Sequence, residues 1–334
     1  MSEVEILVHE GLKATGMLDY ASAITIKLLR PSMKLPPGWY AILSSDELTP
    51  YKPLGVERFG QALVLWRDES GAPVVMRDLC PHRSAKLSLG KLKDNRVQCP
   101  FHGFEFDTTG SCRYVPETEK PAENLCVDVF PVQEVHNLIW VWYGSSDKPS
   151  SDPPWFAELE EGLLYCQFTD LWPCHITRCI ENQLDYAHLP FVHASTIGRF
   201  ASISAKPEVE LADERIKFRP NAEKNKVAFI EYRFPNIWQN YIKDGFMIFL
   251  AFAPVNETST NLYLRTYYRG VAVPILKDLV DWFFNITNGI ILGQDRSVVL
   301  SQGSASSLEA SEERLFLSDI PIRHFRKRWQ ETQS

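Results

Sequence analysis

Two cysteine–histidine pairs constrain this chain more than any other feature. They read Cys80-Pro-His82-Arg83 and Cys99-Pro-Phe-His102-Gly103, with 16 residues between His82 and Cys99. Thiolate and imidazole are both good ligands for iron or zinc. Within each pair the ligands stand so close in sequence that one tight loop presents both to a metal centre. Pro81, Pro100 and Gly103 shape those loops. Around them run short β-rich stretches, Ala62–Trp66, Val74–Met76, Phe104–Phe106 and Leu138–Trp142, with turn signals at Glu69-Ser70-Gly71 and Thr108-Thr109-Gly110. That spacing predicts a small antiparallel all-β domain holding two loops across a metal. Two Cys and two His also suit a structural tetrahedral zinc, and the four residues alone leave both metals open.

A second group lies in residues 181–193, ENQLDYAHLPFVH. A helix is expected near Cys179–Leu189, with Asp185 and His188 three apart on one face. Pro190 is expected to break it and let His193 turn back toward His188. A metal held by two His wants further protein donors, and a carboxylate is a common third ligand. The carboxylate is sought in a long helix predicted over 276–302. Its apolar residues at 276, 279, 280, 283, 284, 290, 291, 298 and 299 read as one stripe. Asp295 lies on that stripe, where a carboxylate is destabilising unless paired or metal-bound. Asp278 and Asp281 read as solvated.

Composition narrows the class. A net charge of −7 with no basic stripe argues against a nucleic-acid partner. The run Arg323 to Arg328 reads as a solvated helix face. The N-terminus lacks the positive flank and apolar core of a signal peptide, and the stretch Trp282–Gly293 is too short to span a bilayer, so the expected location is the cytoplasm. An odd count of 7 cysteines argues against a disulfide framework. Five of them read as small buried residues. A Ser/Pro-rich stretch, GSSDKPSSDPP at 144–154, reads as a linker. The expected organisation is an N-terminal extension over 1–35, a domain carrying the two Cys/His pairs over 36–145 and a second domain over 146–334. In the last, Lys217, Val227–Tyr232, Phe246–Phe252 and Asn261–Tyr268 read as strands of an antiparallel sheet.

The stretch CPHRSAKLSLGKLKDNRVQCPFHGFEFD strongly resembles the cluster motif of Rieske proteins. Phe104 stands where Trp is common and Phe101 where Tyr is common, and both keep an aromatic ring. Arg83 and Ser84 follow the first His, and no extra Cys stands in either loop, which resembles the oxygenase branch. The resemblance implies a [2Fe–2S] cluster with Cys80 and Cys99 on one iron and His82 and His102 on the other. Asn182, Asp185, His188 and His193 match the family's second motif. His188, His193 and Asp295 are then the implied ligands of a mononuclear Fe(II), with Asn182 and Asp185 beside them.

The fold class implied is α+β: an all-β Rieske domain, then an antiparallel sheet covered by helices. By resemblance the chain is a terminal oxygenase that uses O2 and two external electrons to hydroxylate or oxidatively demethylate a small, largely apolar organic molecule. Cis-dihydroxylation is also within the family's chemistry. The chain has no GxGxxG motif and no plant-type ferredoxin cysteines, so a separate NAD(P)H-dependent reductase is implied, with or without a ferredoxin. Copies are implied to pack head to tail as a homotrimer, with Asp185 bridging His188 to a neighbouring copy's His102. The competing readings are a Rieske electron carrier without catalysis and a zinc-stabilised binding module. Phe191, Phe200, Trp238, Tyr241 and Phe249 are the aromatic candidates for lining a pocket.

Overall fold

The computed structural model describes residues 33–144, 149, 151–159, 162–200, 207–220, 227–270, 274–303 and 305–332. The N-terminal extension up to residue 32, and residues 145–148 and 150 of the linker stretch, lie outside these.

The N-terminal part is built from three antiparallel sheets. Strand Gln61–Arg67 shows how alternation builds it. It lies between Leu54–Arg58 and Pro73–Arg77 and is buried on both faces. Successive side chains point to opposite sides of a strand. Val64 and Trp66 therefore join a core with Cys80, Cys99, Phe104 and Phe106. Leu63 and Leu65 face the other way, into a core shared with the C-terminal part. The small sheet Lys91–Lys93, Arg96–Gln98, Glu105–Phe106, Ser111–Val115, Lys120–Cys126 carries the second Cys/His loop between its second and third strands.

The C-terminal part is a seven-stranded antiparallel sheet in the order Leu164–Trp172, Ser259–Tyr268, Phe246–Asn256, Ile237–Lys243, Phe229–Arg233, Arg215–Arg219, Glu208–Ala212. On one face, Leu250, Phe252, Leu262 and Trp238 pack with residues of three helices: α1 (Ile176–Leu184), α3 (Pro274–Ser301) and α4 (Ile320–Glu331). A one-turn helix α2 (Leu189–Val192) follows α1. On the other face, Phe249, Ala251 and Tyr263 pack with Trp39, Trp140 and Phe156. The two parts are thus joined by buried side chains and by polar bonds. Arg265 donates to the carbonyls of His136 and Asn137 at 2.6 and 2.7 Å, and Asn236 to that of Ala41 at 3.1 Å.

Three expectations need correction. The apolar residues of α3 do not form one buried stripe: Leu276, Leu279, Phe283, Ile290 and Val298 are exposed, while Asn288, Leu292, Asp295 and Val299 are buried. Asp281 is not simply solvated but accepts the Tyr268 hydroxyl at 2.9 Å. The basic run on α4 is not a solvated face throughout. Arg326 turns inward to Glu181 at 2.7 Å, beside buried Phe325 and Trp329. Of the cysteines outside the two pairs, 112, 166, 174 and 179 are buried and Cys126 is exposed.

Candidate metal centres

The two Cys/His loops have the same backbone construction. In the first, the Cys80 amide donates to Ala85 O (2.8 Å) and the Ser84 amide returns to Cys80 O (2.9 Å). In the second, the Cys99 amide donates to Phe104 O (2.8 Å) and the Gly103 amide returns to Cys99 O (3.1 Å). The fourth residue after each Cys is left-handed, φ 57° at Ser84 and 74° at Gly103. That conformation suits glycine best. Each loop buries its thiol, with Cys80 1% and Cys99 3% exposed, and lifts its imidazole into solvent. The His82 and His102 rings meet edge to face with centroids 4.6 Å apart, and Phe104 stacks on His82 at 4.6 Å. Burial first, and the neighbouring Cys99 thiol second, push Cys80 up to about 12. A thiol so placed keeps its proton until a binding cation displaces it to solvent, and the two loops together offer two sulfur and two nitrogen donors.

The second group assembles from three elements. α1 ends at Leu184 with Asp185 as its C-cap, the chain turns through Tyr186 and Ala187, and His188 caps the start of α2. Pro190 does not break the helix. It sits in the first turn of α2, where a missing amide hydrogen has no cost, and the break comes earlier at Asp185. Asp185 and His188 meet across that turn rather than on one helix face, with Oδ2 3.6 Å from Nδ1. This is an ion-pair distance, longer than a hydrogen bond. The other carboxylate oxygen accepts the Ala187 amide at 2.7 Å. His193 closes α2 and is 1% exposed.

α3 brings Asp295 to both histidines. Its Oδ1 lies 2.9 Å from His193 Nε2 and 3.3 Å from His188 Nε2. Ligand atoms of His188, His193 and Asp295 all lie within 4.8 Å of one another. Burial would raise the Asp295 pKa, but the two imidazoles hold it below the usual carboxylate range. Burial opposes charging His188, yet Asp185 and Asp295 outweigh it and lift the group to about 9. Burial likewise opposes charging His193, and its bonds to Asp295 and Gln294 outweigh it and raise the group. Three nearly buried donors of this kind, drawn together by protons alone, match what a divalent metal requires. Asn182, on α1, keeps a buried amide nitrogen without a protein acceptor.

The aromatic candidates do not gather in one pocket. Trp238 faces the helices and donates to Gln183 O at 3.0 Å, whereas Tyr241 and Phe249 lie on the opposite face of the sheet. Phe191 is 71% exposed, and the Phe200 side chain lies outside the described residues. Sequence reading missed Gln294 and Thr196, both hydrogen-bonded beside His193. Their only signal was adjacency to proposed ligands.

The Rieske [2Fe-2S] domain profile matches residues 38–133, and that of the vanillate O-demethylase oxygenase C-terminal domain matches residues 172–245. The chain is 39% identical over 181 residues to chlorophyllide a oxygenase of Chlamydomonas reinhardtii, covering 51% of this chain and 27% of that protein. It is 33% identical over 208 residues to the oxygenase component of chloroacetanilide N-alkylformylase of Rhizorhabdus wittichii, covering 59% and 58%. The chain therefore spans less than two thirds of the length of these relatives. Among solved structures, NdmA of Pseudomonas putida CBB5 with theobromine superposes with TM-score 0.73 at 27% identity, covering 88% of this chain and 90% of that one. Dicamba monooxygenase bound to dicamba shares the fold with TM-score 0.73 at 22% identity, covering 90% and 98%. By both domains, in this order along one shared fold, the chain belongs to the Rieske non-heme iron oxygenases, enzymes that carry a [2Fe–2S] cluster and a mononuclear iron.

Proposed function

We propose that the chain is a terminal oxygenase component acting on a small, largely apolar organic molecule, by hydroxylation or oxidative demethylation. Cys80, His82, Cys99 and His102 hold the cluster, and His188, His193 and Asp295 the mononuclear iron. Residues 36–145 and 146–334 are the corresponding domains. The observation that carries the reading is the convergence of two imidazole Nε2 atoms and one carboxylate oxygen within 4.8 Å. No fourth His, Cys, Asp or Glu joins them among the described residues. Three protein donors leave coordination positions open.

Bound there, the iron supplies O2 activation: one oxygen atom enters the substrate and the other leaves as water, with two electrons and two protons taken up. The chain's own groups do the rest. Asp295 neutralises charge between two imidazoles, and burial keeps the three donors from bulk water. A separate NAD(P)H-dependent reductase supplies electrons, with or without a ferredoxin. A homotrimer in the cytoplasm is the working assembly. Two features leave room for contact between copies: His102 is exposed at its loop tip, and the Asp185 side chain is about a third exposed. Among the described residues no helix is long and apolar enough to cross a membrane.

The test is iron, zinc and acid-labile sulfide analysis of anaerobically purified protein with its absorbance spectrum. O2 uptake and product mass with a surrogate reductase follow. About three irons and two sulfides per chain are expected. A colourless zinc protein, or a cluster without mononuclear iron and without O2 uptake, refutes the reading.

A further inference from the structure

Two consecutive residues of α3 grip the two nitrogens of one imidazole. Asp295 Oδ1 faces His193 Nε2 at 2.9 Å, and Gln294 Oε1 faces His193 Nδ1 at 2.9 Å. The Gln294 amide is held in turn. Thr196 Oγ1 donates to the same Oε1 at 2.9 Å, and Gln294 Nε2 donates to Ser195 Oγ at 3.4 Å. Ser195 and Thr196 stand two and three residues after His193 in the chain, so the segment 193–196 wraps round Gln294 as Gln294 reaches for the ring.

We propose that Gln294 is a positioning residue that fixes the His193 tautomer for metal binding. This rests on the reading of His193 as an iron ligand. Neutral imidazole carries one proton, and the nitrogen without it binds the metal. An acceptor at Nδ1 keeps the proton there and leaves the Nε2 lone pair aimed at the site beside Asp295. Were the amide reversed, its NH2 would face Nδ1 and demand the lone pair there. The proton would then sit on Nε2 and block the metal. Thr196 and Ser195 hold Oε1 toward the ring by bonding the two ends of the amide. Such an outer partner also stops the ring from rotating about its χ angles.

Four variants test this, with Co(II) titrated into iron-depleted protein and followed by difference absorbance above the cluster spectrum. Gln294→Met keeps the length and removes the acceptor, and its Co(II) affinity is expected to fall ~10–100-fold. Gln294→Glu keeps an acceptor at the same reach and should bind at least as tightly as the parent. Thr196→Val removes the hydroxyl that holds the amide and should weaken binding several-fold. Cluster absorbance and unfolding midpoint should stay put in all three, because the acceptor acts on one ring. His193→Ala is the control and should bind weakest. If His193→Ala binds Co(II) like the parent, His193 is no ligand and both the iron-site reading and this proposal fall. If only His193→Ala weakens binding, while Gln294→Met and Thr196→Val match the parent, the proposal alone falls. Should Gln294→Met fail to fold, Gln294→Glu and Thr196→Val decide: equal losses in both overturn it, because a lost acceptor then explains neither.

Discussion

His193 Nε2 and Asp295 Oδ1, 102 positions apart in sequence, lie 2.9 Å apart in the folded chain. Without iron that contact is a charge-assisted hydrogen bond, with the proton where a cation would sit. The same carboxylate reaches His188, so on the proposed reading a metal would take the place of protons there.

That exchange has a pH dependence. His188 is raised from 6.5 to about 9, so below about 9 a metal must displace its proton. Apparent Co(II) affinity of the iron-depleted protein is expected to climb with pH and level off above about 9. Stability of the metal-free protein runs the other way. A His raised above its unfolded value stabilises fully below 6.5, and this is lost as pH rises through about 9. A loss of roughly 1–3 kcal/mol between about pH 6 and about pH 10 is expected in chemical denaturation. A flat profile would show that the two carboxylates do not hold the His188 proton.

Asp295→Ala should empty the mononuclear site, since two imidazoles alone hold Fe(II) weakly. The cluster, held by loops of the other domain, should survive with its absorbance unchanged. Full mononuclear iron and O2 uptake in this variant would mean that another carboxylate is the ligand.

Asp185→Asn keeps the size and replaces one acceptor with a donor. Both metal centres should stay loaded and the cluster should still accept electrons from an external donor. Oxidation of the cluster in the presence of substrate and O2, followed by single-turnover stopped flow, should slow by orders of magnitude. A wild-type rate with both centres full removes Asp185 from the electron path, and an active strict monomer removes the path between subunits.

Glu181 accepts the Ser307 hydroxyl at 2.6 Å and both the Nε and Nη2 of Arg326 at 2.8 and 2.7 Å, all largely buried. Glu181→Ala leaves Arg326 short of a partner in the interior. The expected loss is about 3 kcal/mol in equilibrium unfolding. A loss under about 1 kcal/mol would mean that Glu313, the other Arg326 partner, compensates alone.

Much of this site was legible because its signals are local. Cys80 with His82, and Cys99 with His102, each fit in one loop, and loop chemistry is written in neighbouring Pro and Gly residues. His188 and His193 were legible as a pair, but not how they meet. Pro190 reads as a breaker in sequence, yet proline is tolerated in a first helical turn, and the helix had already ended at Asp185. Asp295 came out as buried although the stripe that pointed to it was misdrawn. Periodicity marks which residues share a face, and nothing in it says that Leu276, Leu279 and Phe283 stay exposed. Gln294 escaped because a neutral amide one residue from a ligand carries no pattern of its own. The division of the aromatic residues between two faces of the sheet follows from strand register, which pairs Tyr241 with Met247 and Trp238 with Leu250.

The buried core shared by the two halves of the molecule has a mechanical consequence. Trp39 and Trp140 from one half pack with Phe249 and Tyr263 of the other, and Arg265 is pinned to two carbonyls across the seam. Domains joined by a small polar seam move as hinged bodies, and those joined by a large apolar one do not. The cluster loops are therefore fixtures rather than an arm. On the proposed function, an electron partner would then meet the His82–His102 tip where it stands, rather than draw it out of the fold.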